Sequence, residues 1–345
     1  MIKLPAETVS ALRPVYDGRH VCVTGGAGFI GGHLVDALHA LGASVAVIDD
    51  LSNSNAAHVA ELLEFEPDRL KFIHGSILDE RALAEAADEA SVVFHLAAVG
   101  SVQRSIAHPQ RTWTVNATGT LRVLEAARAA RAKRVVLATS SSAYGDTEKL
   151  PKHEGMTPRP LSPYAASKVA AETIAGAWSR AYGLDTVCLR YFNVYGPRQS
   201  AESEYAAVIP AFAKRLLTGR RPIIYGDGQR SRDFTFVTNA VLATLLAGAK
   251  DKPLAGLVLN VGTGKRTSIL ELAEQMAALA IEGDEAGVAA EPEHHAERPG
   301  DIRDSLADIA LARKVLCYEP LVGFRQGLAE TLEWCRAHLA ATGGG

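Results

Sequence analysis

Short apolar runs alternate with amphipathic stretches between about residues 20 and 190, and that rhythm predicts strands and helices in turn. The runs His20–Thr24, Ser44–Asp49, Leu70–His74, Val92–Leu96, Arg134–Thr139 and Thr186–Leu189 read as strands. Between them His33–Leu41 (ended by Gly42), Glu80–Asp88, Val115–Ala130 and Pro163–Tyr182 read as helices. Strict alternation with short connections predicts an α/β fold with a parallel, doubly wound sheet. In residues 1–17, an N-terminal extension, Val9, Leu12 and Val15 stand at helical spacing. After Tyr191 the rhythm breaks, and Gly, Pro and charged clusters separate shorter elements. The expected division is a large domain over 18–190, with segments near 237–264 returning to it. A smaller substrate-covering domain would come mainly from 191–236 and 265–340.

The first strand runs directly into Gly25-Gly26-Ala27-Gly28-Phe29-Ile30-Gly31. Three glycines at this spacing, with a strand before and a helix after, form a dinucleotide fingerprint. Gly25 allows the sharp turn, Gly28 lets backbone approach a pyrophosphate, and Gly31 lets helix pack close on strand. The helix N-terminus would then offer N–H groups to the phosphates. Asp49 ends the second strand, where a carboxylate accepts hydrogen bonds from ribose hydroxyls and repels a 2′-phosphate. The sheet is therefore expected to be of the Rossmann type, and the cofactor NAD rather than NADP.

Tyr164 and Lys168 are four residues apart on a helical stretch, so they share one face. The ammonium is expected to favour phenolate and to draw the Tyr164 pKa down from its unperturbed value of about 10. Thr139-Ser140-Ser141-Ser142-Ala143-Tyr144-Gly145 supplies hydroxyls some twenty positions earlier. A phenol that sheds its proton near neutrality, beside a Ser hydroxyl and a hydride acceptor, points to alcohol–ketone redox chemistry.

Composition narrows the setting. A net charge of −3 over 345 residues excludes the basic stripe a nucleic-acid partner requires. Cys22, Cys188, Cys317 and Cys335 lie far apart without a metal-ligand pattern, and Cys22 and Cys188 sit in apolar runs as buried thiols. His294-His295 falls in a charged stretch and reads as solvated surface, and His95 as a packed imidazole. No metal is expected. No export signal or membrane-length apolar run is legible, so a cytoplasmic location without membrane contact is the expectation.

Taken together, the glycine turn, Ser140, Tyr164-Ala165-Ala166-Ser167-Lys168 and the later segments resemble the extended short-chain dehydrogenase/reductase family, and within it the nucleotide-sugar 4-epimerases. The resemblance covers nearly the whole chain after residue 17. It implies that Ser140, Tyr164 and Lys168 are catalytic, that Ser141 and Ser142 flank the sugar, and that Asn116 holds the active-site helix. It places Phe29, Ile30, Asp50, Asn53, Ser76, Ile77, Leu96, Ala97, Ala98 and Tyr191 around NAD, with Tyr164 and Lys168 reaching its ribose. Ser76 departs from the pattern, since relatives commonly place an Asp there against adenine. For a UDP-sugar substrate the resemblance implies Gly100, Ser101, Asn193, Gln199, Ala207, Val208 and Tyr225, with Arg232 and Arg298 forked around the diphosphate beside Asp301. Glucose/galactose-restricted relatives can carry Tyr at the position of Ser305, so a small residue there leaves room for a 2-acetamido group. The segments around Gly100, Ser140 and Asn193 are similar to epimerases that prefer N-acetylated UDP-hexosamines. UDP-GlcNAc/UDP-GalNAc is the favoured pair, with UDP-glucose/UDP-galactose or a UDP-uronic acid as alternatives. Dehydratase and decarboxylase relatives need titratable groups where Ser141 and Ser142 stand. A non-catalytic NAD(H)-binding role conflicts with the intact Tyr/Lys pair. The family often forms homodimers, and a homodimer is expected.

Overall fold

The computed structural model describes residues 4–54, 57–200, 207–282, 291–297 and 302–342. Its strands are β1 His20–Thr24, β2 Ser44–Asp49, β3 Leu70–His74, β4 Val92–His95, β5 Arg134–Ser140, β6 Asp185–Tyr191, β7 Val194–Tyr195, β8 Ile223–Tyr225, β9 Ser231–Arg232, β10 Thr235–Phe236, β11 Leu257–Val261, β12 Thr267–Ser268 and β13 Glu293–His295. Its helices are α1 Ala6–Tyr16, α2 Phe29–Ala40, α3 Ala57–Phe65, α4 Glu80–Ala87, α5 Val102–Ala107, α6 Pro109–Trp113, α7 Gly119–Ala129, α8 Pro163–Tyr182, α9 Val208–Leu217, α10 Val237–Ala249, α11 Ile269–Glu282, α12 Ala310–Leu316 and α13 Phe324–Thr342.

Seven strands pair in the order β11-β6-β5-β4-β1-β2-β3, all parallel. The order reverses between β1 and β4, which opens a crevice at the carboxyl ends of those strands, the usual ligand position in a doubly wound sheet. Alternate residues feed opposite faces. Val21 and Val23 join Leu34, Leu38 and Ala240, under α2 and α10, while Cys22 joins Leu83, Leu124 and Ala175, under α4, α7 and α8. Cys22 and Cys188 are both fully buried in the latter core, as read from sequence. α1 lies over α10, where Leu12 and Tyr16 are buried and the Tyr16 hydroxyl donates to Leu245 O at 2.6 Å. Past β6 the chain forms three two-stranded pairs, β7 with β10, β9 with β12 and β8 with β13, with α9, α11 and α13 packed on one another. β11 then closes the edge of the large sheet against β6.

Two helices begin earlier than the apolar pattern predicts. α2 starts at Phe29 rather than His33, because the turn is complete at Gly28 and Gly31 and Gly32 are helical. The helix expected to begin at Val115 is the end of a longer rod that starts at Pro109, a residue suited to a first turn because it needs no N–H there. Within that rod Thr114–Thr118 is a π-helical turn. The His294-His295 stretch forms a strand, and both imidazoles are exposed as expected.

Candidate active site

The glycine turn has the tightness the fingerprint requires. Gly25 has φ +72°, and a Cβ there would lie 2.6 Å from Ala97 N. A Cβ on Gly31 would collide with the Gly25 carbonyl, so only glycine lets α2 begin against the turn. α2 has no side-chain cap at Gly28 and no acid in its first turn. Its leading N–H groups therefore remain available to an anion, backed by the helix dipole. Phe29, Ile30 and Gly31 form this first turn. A cleft of about 400 Å³ opens beside it, lined by Gly25, Gly28, Asp49, Asp50, Asn53, Ser76, Ile77, Leu96, Ala97 and Ala98, all named from sequence. Asp49 Oδ2 accepts from Ala27 N at 3.0 Å, and Oδ1 from Leu51 N at 2.9 Å and Ser54 Oγ at 3.2 Å. The carboxylate is thus aimed and held at the end of β2. Arg104 on α5 hydrogen-bonds Asn53, one of the lining residues. Ser52, Ser54, Gly75, Val99, Gln110, Arg111 and Thr114 also line it. Sequence reading passed over these residues, although Ser54 carries a signal in its position five residues after Asp49. Glycine backbone for a pyrophosphate and a fixed carboxylate for a ribose diol fit NAD.

A buried polar chain ties this cleft to α8. His95 Nδ1 lies 2.7 Å from Thr24 Oγ1, and Nε2 lies 3.0 Å from Thr120 Oγ1. The Thr120 hydroxyl donates to Asn116 O at 2.6 Å, so toward His95 it accepts, and the imidazole carries its proton on Nε2. Thr24 then donates to Nδ1 and accepts from Ala97 N at 3.2 Å. Burial, followed by the charge on Lys168, lowers the His95 pKa to about 3, so the ring stays neutral. This packed role agrees with the sequence reading. Asn116, inside the π-helical turn, accepts from Val99 N at 2.8 Å and donates to Val99 O at 3.2 Å and to Ser167 Oγ at 3.0 Å. Ser167 donates to Tyr164 O at 2.7 Å. Asn116 therefore fastens the strand-end loop to the turn of α8 that carries Tyr164, a use of the extra π-turn residue common at functional sites.

Ser140 ends β5, and a 3₁₀ turn follows over Ser141–Tyr144. Ser140 Oγ accepts from Ser142 Oγ at 2.8 Å and from Ser142 N at 3.2 Å. Its own proton is left to donate, and it hydrogen-bonds Tyr164. On one point the sequence reading needs correction. Burial raises the Tyr164 pKa, and the hydrogen bond from Ser140 is the opposing influence. Lys168 is not among the influences that offset that desolvation; its Nζ donates to Ala138 O at 2.9 Å, and burial lowers its own pKa to about 8. Tyr191 is buried, and its hydroxyl is bound to Thr244 Oγ1 at 2.6 Å, which leaves ring and backbone as its free surfaces.

At the other side of the site, Arg232 Nη1 donates to Ser231 O at 2.8 Å and Arg303 O at 3.1 Å, bracing β9 against the segment that holds Ser305. Ser305 is 5% exposed, its N–H bound to Ser231 O at 3.0 Å. Gln199 Nε2 donates to Val194 O at 3.2 Å, while its Oε1 is buried without a hydrogen-bond partner. Asn193 and Gly100 are exposed, and Ser101 caps α5 through Arg104 N at 3.2 Å. Ala207 caps α9, and Val208 begins it. Tyr225 is half-buried, edge-on to His295 at 5.9 Å. Arg298 and Asp301 lie outside the described residues, so the expected guanidinium fork is represented by Arg232 alone. Among the described residues no group of three His, Cys, Asp or Glu could hold a metal ion, and no helix is long and apolar enough to cross a membrane.

The chain is 42% identical over 318 residues to the UDP-glucose 4-epimerase of Mycolicibacterium smegmatis, covering 91% of this chain and 97% of that one. Its fold is similar to that of the UDP-N-acetylglucosamine 4-epimerase of Methanobrevibacter ruminantium in complex with UDP-N-acetylmuramic acid (TM-score 0.85, 38% identity, 93% and 99% of the two chains). It is likewise similar to the Thermus thermophilus UDP-glucose 4-epimerase in complex with NAD (TM-score 0.80, 34% identity, 92% and 99%). Residues 21–262 match the family described as NAD dependent epimerase/dehydratase, and the chain belongs to that family.

Proposed function

We propose that this protein inverts C4 of a UDP-hexose, with UDP-GlcNAc/UDP-GalNAc as the substrate pair. The observation that carries the catalytic reading is the hydroxyl chain from Ser142 through Ser140 to Tyr164, on a helix that Asn116 and Ser167 tie to Val99 in the lining of the dinucleotide cleft. In this reading Tyr164 takes the proton from the sugar O4, and Ser140, already saturated as an acceptor by Ser142, donates to stabilise the oxygen that bears the charge. When bound, NAD+ would supply the reversible hydride acceptor for C4, and Lys168 is the cation the chain itself places on the helix that carries Tyr164. Burial and the Ser140 hydrogen bond act on the phenol in opposite directions, burial being the larger. The 4-keto sugar turns about its diphosphate tether and is reduced on the opposite face, with the proton returned from Tyr164. Ser141 and Ser142 do not titrate near neutrality, which disfavours loss of water across C5–C6.

What supports the N-acetylated pair is the small side chain of Ser305, the position at which the resemblance expects the gate; it is buried and its N–H is bound to Ser231 O of β9. The likeness to the M. smegmatis relative, named a UDP-glucose 4-epimerase, favours UDP-glucose/UDP-galactose as the second reading. Inversion measured side by side on UDP-Glc, UDP-GlcNAc and the uronic acid of UDP-GlcNAc, without added cofactor, decides between them. The highest kcat/KM is expected on UDP-GlcNAc; a preference for UDP-Glc transfers the assignment to the second reading. Ser305→Tyr is expected to lower kcat/KM on UDP-GlcNAc by about tenfold or more while sparing UDP-Glc, the scale on which a pocket rejects a group it has no room for. Equal losses on both sugars would remove Ser305 from the gate.

A further inference from the structure

A buried carboxylate–guanidinium pair lies one helical turn beyond Lys168. Tyr164, Lys168 and Glu172 are spaced by four on α8 and share one face. Glu172 is 6% exposed and Arg190, on β6, is 3% exposed. Arg190 Nε donates to Glu172 Oε1 at 2.8 Å and Nη2 to Oε2 at 2.6 Å, a two-pronged pair. The Thr139 hydroxyl donates to the same Oε1 at 2.8 Å. The guanidinium also lies 4.6 Å from the ring centre of Tyr144, whose hydroxyl donates to Asn260 Oδ1 at 2.6 Å. Two consecutive residues of β5 are thus laced to α8, Ala138 through Lys168 and Thr139 through Glu172, and the next residue is Ser140.

We propose that Glu172 and Arg190 are positioning residues for the reaction, fixing Ser140 against Tyr164 through Thr139 and keeping Lys168 a cation. This rests on the catalytic reading given above. A buried ion pair adds little net stability over packed apolar side chains, so holding the fold together is not a sufficient account of it. The titratable groups that act with Lys168 are Glu172, one turn along α8, Cys188 on β6 and His95 on β4, and Arg190 reaches the same cluster through Glu172 and Cys188. His95 is neutral, and burial raises the Cys188 thiol, so neither supplies a negative charge near pH 7. Glu172 is the anion that opposes the desolvation of Lys168.

The two members of the pair therefore have opposite effects on one titration. Lys168 serves while protonated, and its service is lost as pH rises through its pKa. Glu172→Gln removes the anion and leaves Arg190 uncompensated, so the alkaline limb of kcat is expected to move down by about one pH unit, the scale of one nearby charge. Arg190→Gln leaves the carboxylate without its partner, and the limb is expected to move up. Thr139→Val deletes only a hydroxyl, and kcat is expected to fall about tenfold with KM and the limb unchanged, as for a small misplacement of Ser140. The experiment compares kcat–pH profiles of these holoenzymes on UDP-Glc and UDP-GlcNAc, together with their bound NAD content and melting temperatures. Limbs that coincide with the native one, or that move in the same direction in both charge variants, overturn the charge role. Native kcat in Thr139→Val overturns the positioning role. If Glu172→Gln does not fold, Arg190→Gln and Thr139→Val decide. Native turnover by Tyr164→Phe would instead bring down the catalytic reading itself, whatever these variants do.

Discussion

Tyr164→Phe is expected to bind a UDP-sugar as the native chain does and to lose C4 inversion by about three orders of magnitude, the range in which a positioned proton-transfer group acts. The substitution deletes one oxygen. Ser140 is the hydrogen-bond partner of that oxygen among the described residues, and Ser140 keeps both bonds from Ser142 without it. The helix should be undisturbed, because Asn116 and Ser167 fasten α8 through the Tyr164 carbonyl rather than its ring. A binding isotherm for UDP-sugar beside a turnover assay separates the two effects. Turnover within about tenfold of native would remove Tyr164 from the role of base.

How much of this could be read without coordinates depends on the range of the interaction. The glycine turn, Asp49 and the Tyr/Lys spacing are local patterns, and each was legible because its chemistry fits within one turn or one strand end. The two helix starts were misplaced for a local reason as well. Gly31 looks like a breaker until Gly25 is seen pressed against it, and Pro109 looks like a loop residue until it is seen opening a rod. The Tyr164 pKa was read with the wrong sign because the sequence shows Lys168 four residues away but does not show how far the fold withdraws the half-buried Tyr164 from water. Pairings across the sheet were beyond reach. His95 with Thr24 and Thr120, and Glu172 with Thr139 and Arg190, join residues 18 to 71 positions apart, and only strand order brings them together. Their consequence is functional, since the same buried chain fixes both the cofactor turn and the catalytic helix.

Gly31→Ala is expected to cost the protein its cofactor before it costs the fold. The added Cβ would meet the Gly25 carbonyl, with Gly25 C at 2.8 Å and Gly26 Cα at 2.9 Å, all backbone that cannot rotate away. α2 would have to shift off the turn, and its leading N–H groups, which have no side-chain cap, would no longer converge where a pyrophosphate sits. Overpacking of this kind costs about 1–3 kcal/mol, enough to lower the melting temperature by several degrees and NAD affinity by about tenfold or more. NAD released by denaturing the purified protein, measured against that of the native chain, reads the loss directly. Gly323→Ala is the matched comparison, because a Cβ there meets nothing within 4 Å and should leave NAD content and melting temperature unchanged. If Gly31→Ala retained a full complement of NAD and the native melting temperature, the close approach of α2 to the turn would not be what holds the dinucleotide.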